Sequence, residues 1–312
     1  MPRPIDRLAF TLALWPVFAS MSAIADDKAA PTALTSADVL AQSPDSDWRA
    51  LDPERTVYLE LPQGRVVIEL APGFAPRHQA QLHQLLKQHY FDQLPILRVQ
   101  DNYVVQWGDP HASDSSRAKS RGEAGGSLPA EFDIDSTKSG HFTPLGERDV
   151  YAEQVGFIDG FHAARDVASG RTWLTHCYGA LGAGRDNAAD SGSAAELYVV
   201  IGHAPRHLDR NVTVLGRVVQ GMELLSSLPR GSEAMGFLAD PAQGTAIQTF
   251  RLAADVAESE RSALQVMRTD SRSFRAWIAS RRSRHEEWFV DPVGKIELCN
   301  MSVPVREARP KS

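Results

Sequence analysis

The chain has 312 residues, of which 43% are hydrophobic and 23% are charged, and its formal net charge is −6. A chain of this length can bury one core of roughly 200 residues plus an appendage without a stabilising metal. The modest negative charge is typical of ordinary globular proteins, and it argues against a DNA or RNA partner.

Residues 1–25 have the composition of a secretory signal peptide. "MPRPIDR" carries two arginines, "LAFTLALWPVFASMSAIA" is an apolar run, and Ala23 and Ala25 supply small residues before a cleavage point ahead of Asp26. An N-terminal membrane anchor is the alternative, which Pro16 and the serines disfavour. The expected location is the periplasm or the extracellular medium, with membrane contact only through this segment during export.

The next elements are a leader, a hairpin and a helix. Residues 26–54 are rich in Ala, Ser, Asp and Pro, which predicts a flexible leader. "TVYLELPQGRVVIEL", from Thr56, alternates apolar and polar positions around a turn and predicts a β-hairpin. "PRHQAQLHQLL" begins with Pro76 and spaces its apolar residues for an amphipathic helix that packs on the sheet.

Further strands are separated by polar, glycine-rich segments. We expect them around 155–161, 173–178, 197–201 and 212–219, followed by a short helix from Met222 and a last strand in "TAIQTFRLAADV". Many strands joined by turns, with two well-separated helices, favour a mostly antiparallel barrel.

The composition changes beyond residue 256, and it predicts a small α/β C-terminal extension over 257–312. "ALQVMRTD" favours a strand, Asp270 or Ser271 can cap a helix, and the tail favours one more strand. The extension shows no group of residues that would form a site, so it does not predict a second catalytic domain.

The chain contains two cysteines, Cys177 and Cys299. An oxidising compartment would favour a disulfide between them if the fold brings them together. Two separate buried thiols are the alternative, and the sequence leaves both open.

Four stretches, in order along the chain, carry a family resemblance: "GRVVIELAPGFAPRH", "LRVQDNYVVQWGDP", "LPAEF" and "APRHLDRNVTVLGRVVQGMELL". With them the chain resembles the cyclophilin-type peptidyl-prolyl cis-trans isomerases. The resemblance implies a mainly β domain over 55–256, an eight-stranded antiparallel closed barrel with two capping helices. It also implies a proline-binding groove on the outside of the barrel wall. The activity that the resemblance implies needs no cofactor and no metal.

The catalytic motif of that family reads Phe-His-Arg-Val, and "ILRV" stands at 96–99 here. The resemblance makes Arg98 the catalytic residue, while Leu97 takes the place of the histidine. An X-Pro bond resists rotation because nitrogen shares its lone pair with the carbonyl, which gives a barrier of about 18–20 kcal/mol. A guanidinium that donates toward this nitrogen stabilises the twisted state more than the planar ground state, without a covalent intermediate or a proton transfer.

The resemblance also assigns the groove that binds substrate. Glu196 takes the place of a glutamine, and Tyr198 that of a pocket phenylalanine, although a slip by one residue would put Leu197 and Val199 there. His207 matches a position often held by an aromatic residue and is otherwise a loop residue. The full set of expected substrate-binding residues is Tyr103, Val104, Gln106, Glu196, Tyr198, His207 and Leu208.

These residues predict a peptidyl-prolyl isomerase that assists the folding of exported proteins. Its partners would be proline-containing segments of unfolded or exported chains. The changes at Leu97 and Glu196 keep a second interpretation open, a catalytically weak module that binds proline peptides as a chaperone. The stretch "GALGAG" does not predict a nucleotide site, because no lysine follows it and the flanking strand and helix are missing.

Overall fold

Three antiparallel sheets and four helices make up the part of the chain that the structure describes. The structure is a computed structural model, and it describes residues 34–309. The predicted signal peptide and the first residues of the predicted leader lie outside this range. The helices in it are α1 (Ser36–Gln42), α2 (Pro76–Lys87), α3 (Met222–Ser226) and α4 (Arg272–Arg282).

None of these helices combines the length and the apolar character that crossing a bilayer requires.

The strands of the same range are β1 (Trp48–Ala50), β2 (Thr56–Leu61), β3 (Gly64–Leu70), β4 (Ile96–Val99), β5 (Val104–Trp107), β6 (Ile134–Asp135), β7 (Phe142–Pro144), β8 (Gln154–Ile158), β9 (Phe161–Asp166), β10 (Arg171–Leu174), β11 (Ala180–Ala183), β12 (Leu197–Val200), β13 (Thr213–Gln220), β14 (Thr249–Leu252), β15 (Leu264–Met267) and β16 (Val305–Glu307).

Eight of these strands form one curled sheet, in the order β14-β2-β3-β13-β11-β12-β5-β4. Its two edges are joined by a short bridge instead of a ladder. The Ile96 N–H donates to the Thr245 carbonyl, and the Ile247 N–H donates to the Leu94 carbonyl, each at 2.9 Å. The mainly β, eight-stranded antiparallel fold is confirmed. The sheet is a half-barrel, however, because the edge strands share no continuous ladder that would close it.

The interior of the half-barrel follows from alternation along the predicted hairpin. The apolar side chains of β2 and β3 that were expected to point inward are buried, and α2 covers them with three leucines. Burial of each such side chain stabilises the fold by roughly 1.5–3 kcal/mol. The residues concerned are Val57, Leu59, Leu61, Val66, Ile68, Leu70, Leu82, Leu85 and Leu86.

A five-stranded sheet, in the order β6-β10-β9-β8-β7, forms between β5 and β11. The single strand expected over 155–161 is a hairpin of β8 and β9. Asp159 and Gly160 both have positive φ, 45° and 91°, at the turn between them. Two successive residues with positive φ are what a two-residue hairpin turn requires. Asp-Gly is a dipeptide that favours such a turn, and the prediction overlooked this signal within the apolar run.

A three-stranded sheet, in the order β1-β15-β16, joins the two ends of the described chain. The expectation of a flexible leader up to residue 54 is wrong for its described part. Thr35 and Asp38 cap α1 reciprocally, and Val39 and Trp48 are buried. This part of the leader is held in place by β15, because β1 pairs with it and Trp48 lies opposite Met267.

A second hydrophobic core lies where these sheets and α4 meet. Its large members include Trp48, Phe157, Trp173, Phe274 and Trp277, which come from the N-terminal segment, the five-stranded sheet and the extension. The predicted strands of the extension and its helix, capped by Ser271, are present. All described residues belong to one compact unit, so the extension is part of the fold and not an appendage.

A disulfide joins the five-stranded sheet to the extension. Cys177 lies three residues beyond the end of β10, and it is bonded to Cys299, with 4.9 Å between their Cα atoms. Of the two possibilities that the sequence left open, the structure has the disulfide.

Candidate functional site

An open cavity of about 610 Å³ lies against strands β4, β5 and β12 on the face opposite to the half-barrel core. We call it the Arg98 cavity. It contains Arg98 and five of the seven residues expected to bind substrate. Its lining consists of Arg98, Tyr103, Val104, Gln106, Gly184, Arg185, Asp186, Asn187, Tyr198, Leu208 and Val212.

Strand pleating decides which side chains reach this cavity. Leu197 and Val199 of β12 are buried in the half-barrel core, so Tyr198 between them points to the other face and lines the cavity. The structure therefore has the first of the two registers considered for this strand. Val104 and Gln106 reach the cavity from β5 by the same alternation.

One row of residues crosses the three strands. Arg98 on β4 is paired with Gln106 on β5, and Gln106 is paired with Tyr198 on β12. The register shifts between Ile96 and Arg98, which makes Leu97 the extra residue of a β-bulge. Leu97 consequently lines a neighbouring hollow and not the Arg98 cavity.

Amide and carbonyl oxygens hold the guanidinium of Arg98. Its Nε donates to the Met235 carbonyl at 2.7 Å, its Nη1 donates to Gln106 Oε1 at 3.0 Å, and its Nη2 donates to Gln100 Oε1. A guanidinium has five N–H donors, so one N–H on each terminal nitrogen is not used in these contacts. Burial lowers the pKa of Arg98, yet an arginine stays protonated at neutral pH.

Aromatic and aliphatic side chains form the wall beside this cation. The rings of Tyr103 and Phe237 each lie 5.4 Å from Arg98 Cζ, a distance at which a cation and a ring attract. Val104 and Leu208 add aliphatic side chains to the lining. The cavity thus combines one fixed cation with an apolar wall.

Glu196 does not line the Arg98 cavity but lines the same neighbouring hollow as Leu97. Its Oε1 accepts a hydrogen bond from Gln106 Nε2. Burial raises the pKa of Glu196, and this hydrogen bond opposes the shift. Because a carboxylate only accepts, Gln106 must turn its N–H groups to Glu196 and its Oε1 to Arg98. Glu196 therefore acts on the cavity by orienting Gln106.

A buried chain of polar groups supports Tyr198. The Tyr198 hydroxyl lies 2.8 Å from His176 Nε2, and His176 Nδ1 lies 3.0 Å from Asp209 Oδ1. Arg206 Nε donates to Asp209 Oδ2 at 2.5 Å, and Arg206 Nη1 donates to Asp149 at 3.1 Å. Burial raises the pKa of Tyr198, so its hydroxyl keeps its proton. We call these five residues the Tyr198 network.

Sequence reasoning missed this network and part of the lining. A tyrosine at a position where the family has phenylalanine was the available signal, since a buried hydroxyl needs a partner. Apart from Val212, the missed lining residues are the last residue of the glycine-rich "GALGAG" stretch and the three residues that follow it; the set is Gly184, Arg185, Asp186, Asn187 and Val212. His207 is exposed and lines a second, adjacent cavity, so the structure does not bring it to Arg98.

Comparison with known proteins gives the family. The sequence pattern described as "Cyclophilin type peptidyl-prolyl cis-trans isomerase/CLD" matches residues 56–250. A probable peptidyl-prolyl cis-trans isomerase of Brucella suis biovar 1 (strain 1330) is 26% identical over 191 residues, which cover 59% of this chain and 76% of that protein. A protein of the same description from Brucella melitensis biotype 1 is also 26% identical over 191 residues.

A solved structure extends this likeness. The crystal structure of cyclophilin AquaCyp293 from Hirschia baltica is similar with a TM-score of 0.66 and 25% identity, over 89% of this chain and 99% of that one. The similarity reaches well beyond residues 56–250, so segments around the half-barrel have a structural counterpart as well. On the match of its sequence, on its fold and on these relatives, this chain belongs to the cyclophilin-type peptidyl-prolyl cis-trans isomerase family.

Proposed function

We propose that this protein is an active peptidyl-prolyl isomerase that holds a proline residue in the Arg98 cavity. The observation that carries the proposal is that the Arg98 guanidinium and an apolar wall share one open cavity. The wall is formed by Tyr103, Val104, Tyr198 and Leu208. This wall suits the proline ring. Arg98 would then lie beside the imide nitrogen of the bound proline.

The chemistry requires only a donor that acts in the twisted state. A planar imide nitrogen has delocalised its lone pair and accepts poorly, whereas the twisted, pyramidal nitrogen accepts well. The unused N–H groups of Arg98 therefore stabilise the transition state more than the ground state. A hydrogen bond to a charged group contributes roughly 1.5–3 kcal/mol, which corresponds to a tenfold to hundredfold acceleration.

Gln106 positions both the arginine and the peptide. Its Oε1 accepts from Arg98, and only one of its two amide N–H groups is needed for Glu196. The other N–H can donate to a peptide carbonyl next to the proline. This arrangement fixes the guanidinium before substrate binds, which avoids an ordering cost during the reaction.

We further propose that the protein is exported and acts on proline-containing segments of other exported chains. The composition of residues 1–25 supports export, and so does the disulfide of Cys177 and Cys299, since such bonds persist in oxidising compartments. Cell fractionation followed by N-terminal sequencing tests this location. A mature protein that begins at Asp26 in the periplasm or the medium is expected, and a cytoplasmic protein with its N-terminus intact would contradict it.

A second candidate is a catalytically weak module that binds proline peptides. The observation in its favour is that Leu97 replaces the motif histidine and turns into a neighbouring hollow. Such a module would bind a proline peptide in the same cavity without accelerating its isomerisation.

An isomerisation assay with an Ala-Pro peptide decides between the two candidates. The purified protein should accelerate cis/trans exchange, and Arg98→Ala should lower kcat/KM at least about tenfold with little change in the thermal midpoint. Arg98→Lys is the matched control for charge, and it should recover only part of the activity because it lacks the planar set of donors. Wild-type protein that binds the peptide without accelerating it supports the module. Full activity in Arg98→Ala contradicts the assigned role of the arginine.

A further inference from the structure

The second cavity, of about 630 Å³, lies beside the Arg98 cavity. It is built largely by residues outside the half-barrel sheet, from the segment before β6, from the neighbourhood of Tyr151 and from β10. Its wall combines aromatic rings with arginines. The residues that matter here are Phe132, Tyr151, Trp173, Asp133, Arg171 and Arg210.

One stretch of chain, residues 207–212, separates the two cavities. Leu208 and Val212 line the Arg98 cavity, while the three residues between them line the second. Arg185 contacts residues of both cavities. It lines the Arg98 cavity, and its Nε donates to the carbonyl of Asn211 at 2.8 Å. Its Cζ lies 5.7 Å from the ring of Phe132, which lines the second cavity.

The exposed side chains of the second cavity carry an excess of positive charge. Arg171 and Arg210 share one carboxylate, that of Asp133, and their side chains are 40% and 46% exposed. The side-chain hydrogen bonds of Arg185 go to backbone carbonyls only. The lining of the Arg98 cavity also holds two arginines and one acid, Arg98, Arg185 and Asp186, so what distinguishes the second cavity is a pair of partly exposed guanidiniums that share a single carboxylate. A negatively charged side chain is therefore favoured on the side of the second cavity.

This wall is fixed in place before any ligand binds. Arg210 Cζ lies 5.1 Å from the ring of Trp173, whose side chain is buried in the second core. Arg206 of the same segment is held by Asp149 and Asp209 in the Tyr198 network. A guanidinium held in this way loses less conformational entropy when it binds a carboxylate.

We propose that the second cavity binds an acidic side chain, Glu or Asp, that flanks the proline in the same peptide. The carboxylate pairs with Arg210 and Arg171, and the aliphatic part of the side chain packs on Phe132 and Tyr151. The proposal rests on the proposed function, because it names the class of peptide that the Arg98 cavity selects.

Matched peptides test the proposal. Glu and Gln are compared at each of three positions before and after one Ala-Pro unit, and both kcat/KM and Kd are measured. At one position or at two adjacent ones, the Glu peptide should be better by about three- to tenfold. The advantage should shrink when salt is added, because exposed ion pairs are screened.

Variants assign the preference to the cavity. Arg210→Gln should reduce the Glu/Gln ratio, and Arg210→Glu should reverse it in favour of a Lys peptide. Arg275→Gln, at an exposed arginine of α4 that lines neither cavity, is the matched control and should keep the wild-type ratio.

The outcomes separate this proposal from the proposed function. Equal kcat/KM and equal Kd for Glu and Gln peptides at every position overturn the acidic subsite and leave the isomerase function standing. If no peptide is accelerated but binding still prefers Glu and depends on Arg210, the isomerase function is wrong and the subsite stands as part of a binding module. If no peptide binds at all, both are wrong.

Discussion

The two largest hydrophobic cores of the described residues are assembled in different ways. The half-barrel core draws its members from residues between Val57 and Leu252, and its strands pair in three hairpins and in four ladders between strands that are not consecutive in the chain. The second core collects three distant stretches of chain, with members from Val39 to Val303. The Arg98 cavity takes no lining residue from either core; its apolar residues Tyr103, Val104, Tyr198 and Val212 belong to a smaller cluster where the half-barrel sheet meets the five-stranded sheet. The half-barrel core thus supports the strands that carry the site, and the second core ties the chain ends to the fold.

The largest expected effect tests whether the two cores unfold together. Phe250 in the half-barrel core and Phe274 in the second core are both fully buried, each with an aromatic neighbour at 5.2 and 4.9 Å between ring centroids. Phe250→Ala and Phe274→Ala should each lower the free energy of unfolding by about 3–5 kcal/mol. Since the described residues form one compact unit, each variant should unfold in one transition in guanidinium, followed by circular dichroism and by activity.

Two transitions in Phe274→Ala, with activity lost only in the later one, would break this expectation. The half-barrel would then be the independent unit, and the second core an accessory to it. Phe250→Ala is the matched control, because the same side chain is removed from the core that supports the strands of the site.

The disulfide is the next largest contribution that distinguishes the two cores. It joins residues 122 positions apart and touches the second core alone. Replacing both Cys177 and Cys299 with serine should lower the free energy of unfolding by about 2–4 kcal/mol. A reductant should lower the free energy of unfolding of the wild-type protein by a similar amount and leave that of the double variant unchanged. If the reductant does not change the stability of the wild-type protein, the disulfide is contradicted.

A pH effect should follow from His162, which links β9 to the extension. Its Nε2 donates to the Met301 carbonyl at 2.7 Å, and burial lowers the pKa of His162 to about 4 despite this bond. The unfolded chain binds a proton below about pH 6.5, whereas the folded chain binds it only near pH 4. This part of the stability is complete above pH 6.5 and is lost as the pH falls toward 4.

Because the side chain is partly exposed, we expect a loss of about 2 kcal/mol between pH 7 and pH 4. Urea denaturation at both pH values measures it. His162→Asn keeps a side-chain N–H donor but has no titrating ring, so it should lose less stability over the same range. An equal loss in the variant would assign the effect to other groups.

The smallest expected effect concerns the support of the cavity floor. Tyr198→Phe keeps the ring in the Arg98 cavity and removes the partner of His176 Nε2. The free energy of unfolding should fall by about 1 kcal/mol, and kcat/KM should change less than about twofold. Tyr178→Phe, at a side chain that is 47% exposed, is the matched control and should leave both values unchanged. A large loss of activity in Tyr198→Phe would give the hydroxyl a role in the reaction.

The first hairpin and the helix of the half-barrel could be predicted from sequence because their information is local, whereas its ladders between distant strands came only from the family resemblance. Alternation around the turn before Gly64 gave β2 and β3, and the helix signal at Pro76 gave α2. The second core could not be predicted in this way. Nothing near Trp48 indicates a strand, since its partner Met267 lies at the other end of the chain.

The residues of the site also fall into a predicted and an unpredicted group. Arg98, Tyr103, Gln106 and the other matched groove residues converge because β4, β5 and β12 are neighbours in the half-barrel sheet, although β12 is distant from β5 along the chain. His207 was misplaced because a motif position does not fix the direction of a side chain in a loop. The Tyr198 network was not foreseen, since its buried histidine, His176, comes from the chain between β10 and β11.

The pairing of β1 with β15 constrains the order of events during synthesis. A ribosome adds about 5–20 residues per second, so Trp48 waits on the order of ten to forty seconds before Met267, its cross-strand partner, exists. For most of that interval the half-barrel is itself incomplete, because β13 and β14 come from residues 213–252, and the apolar segment around Trp48 has an unpaired backbone and no cover. Such a segment is open to edge-to-edge association with other chains. Completion of the C-terminal residues is therefore the step that protects the nascent protein from aggregation.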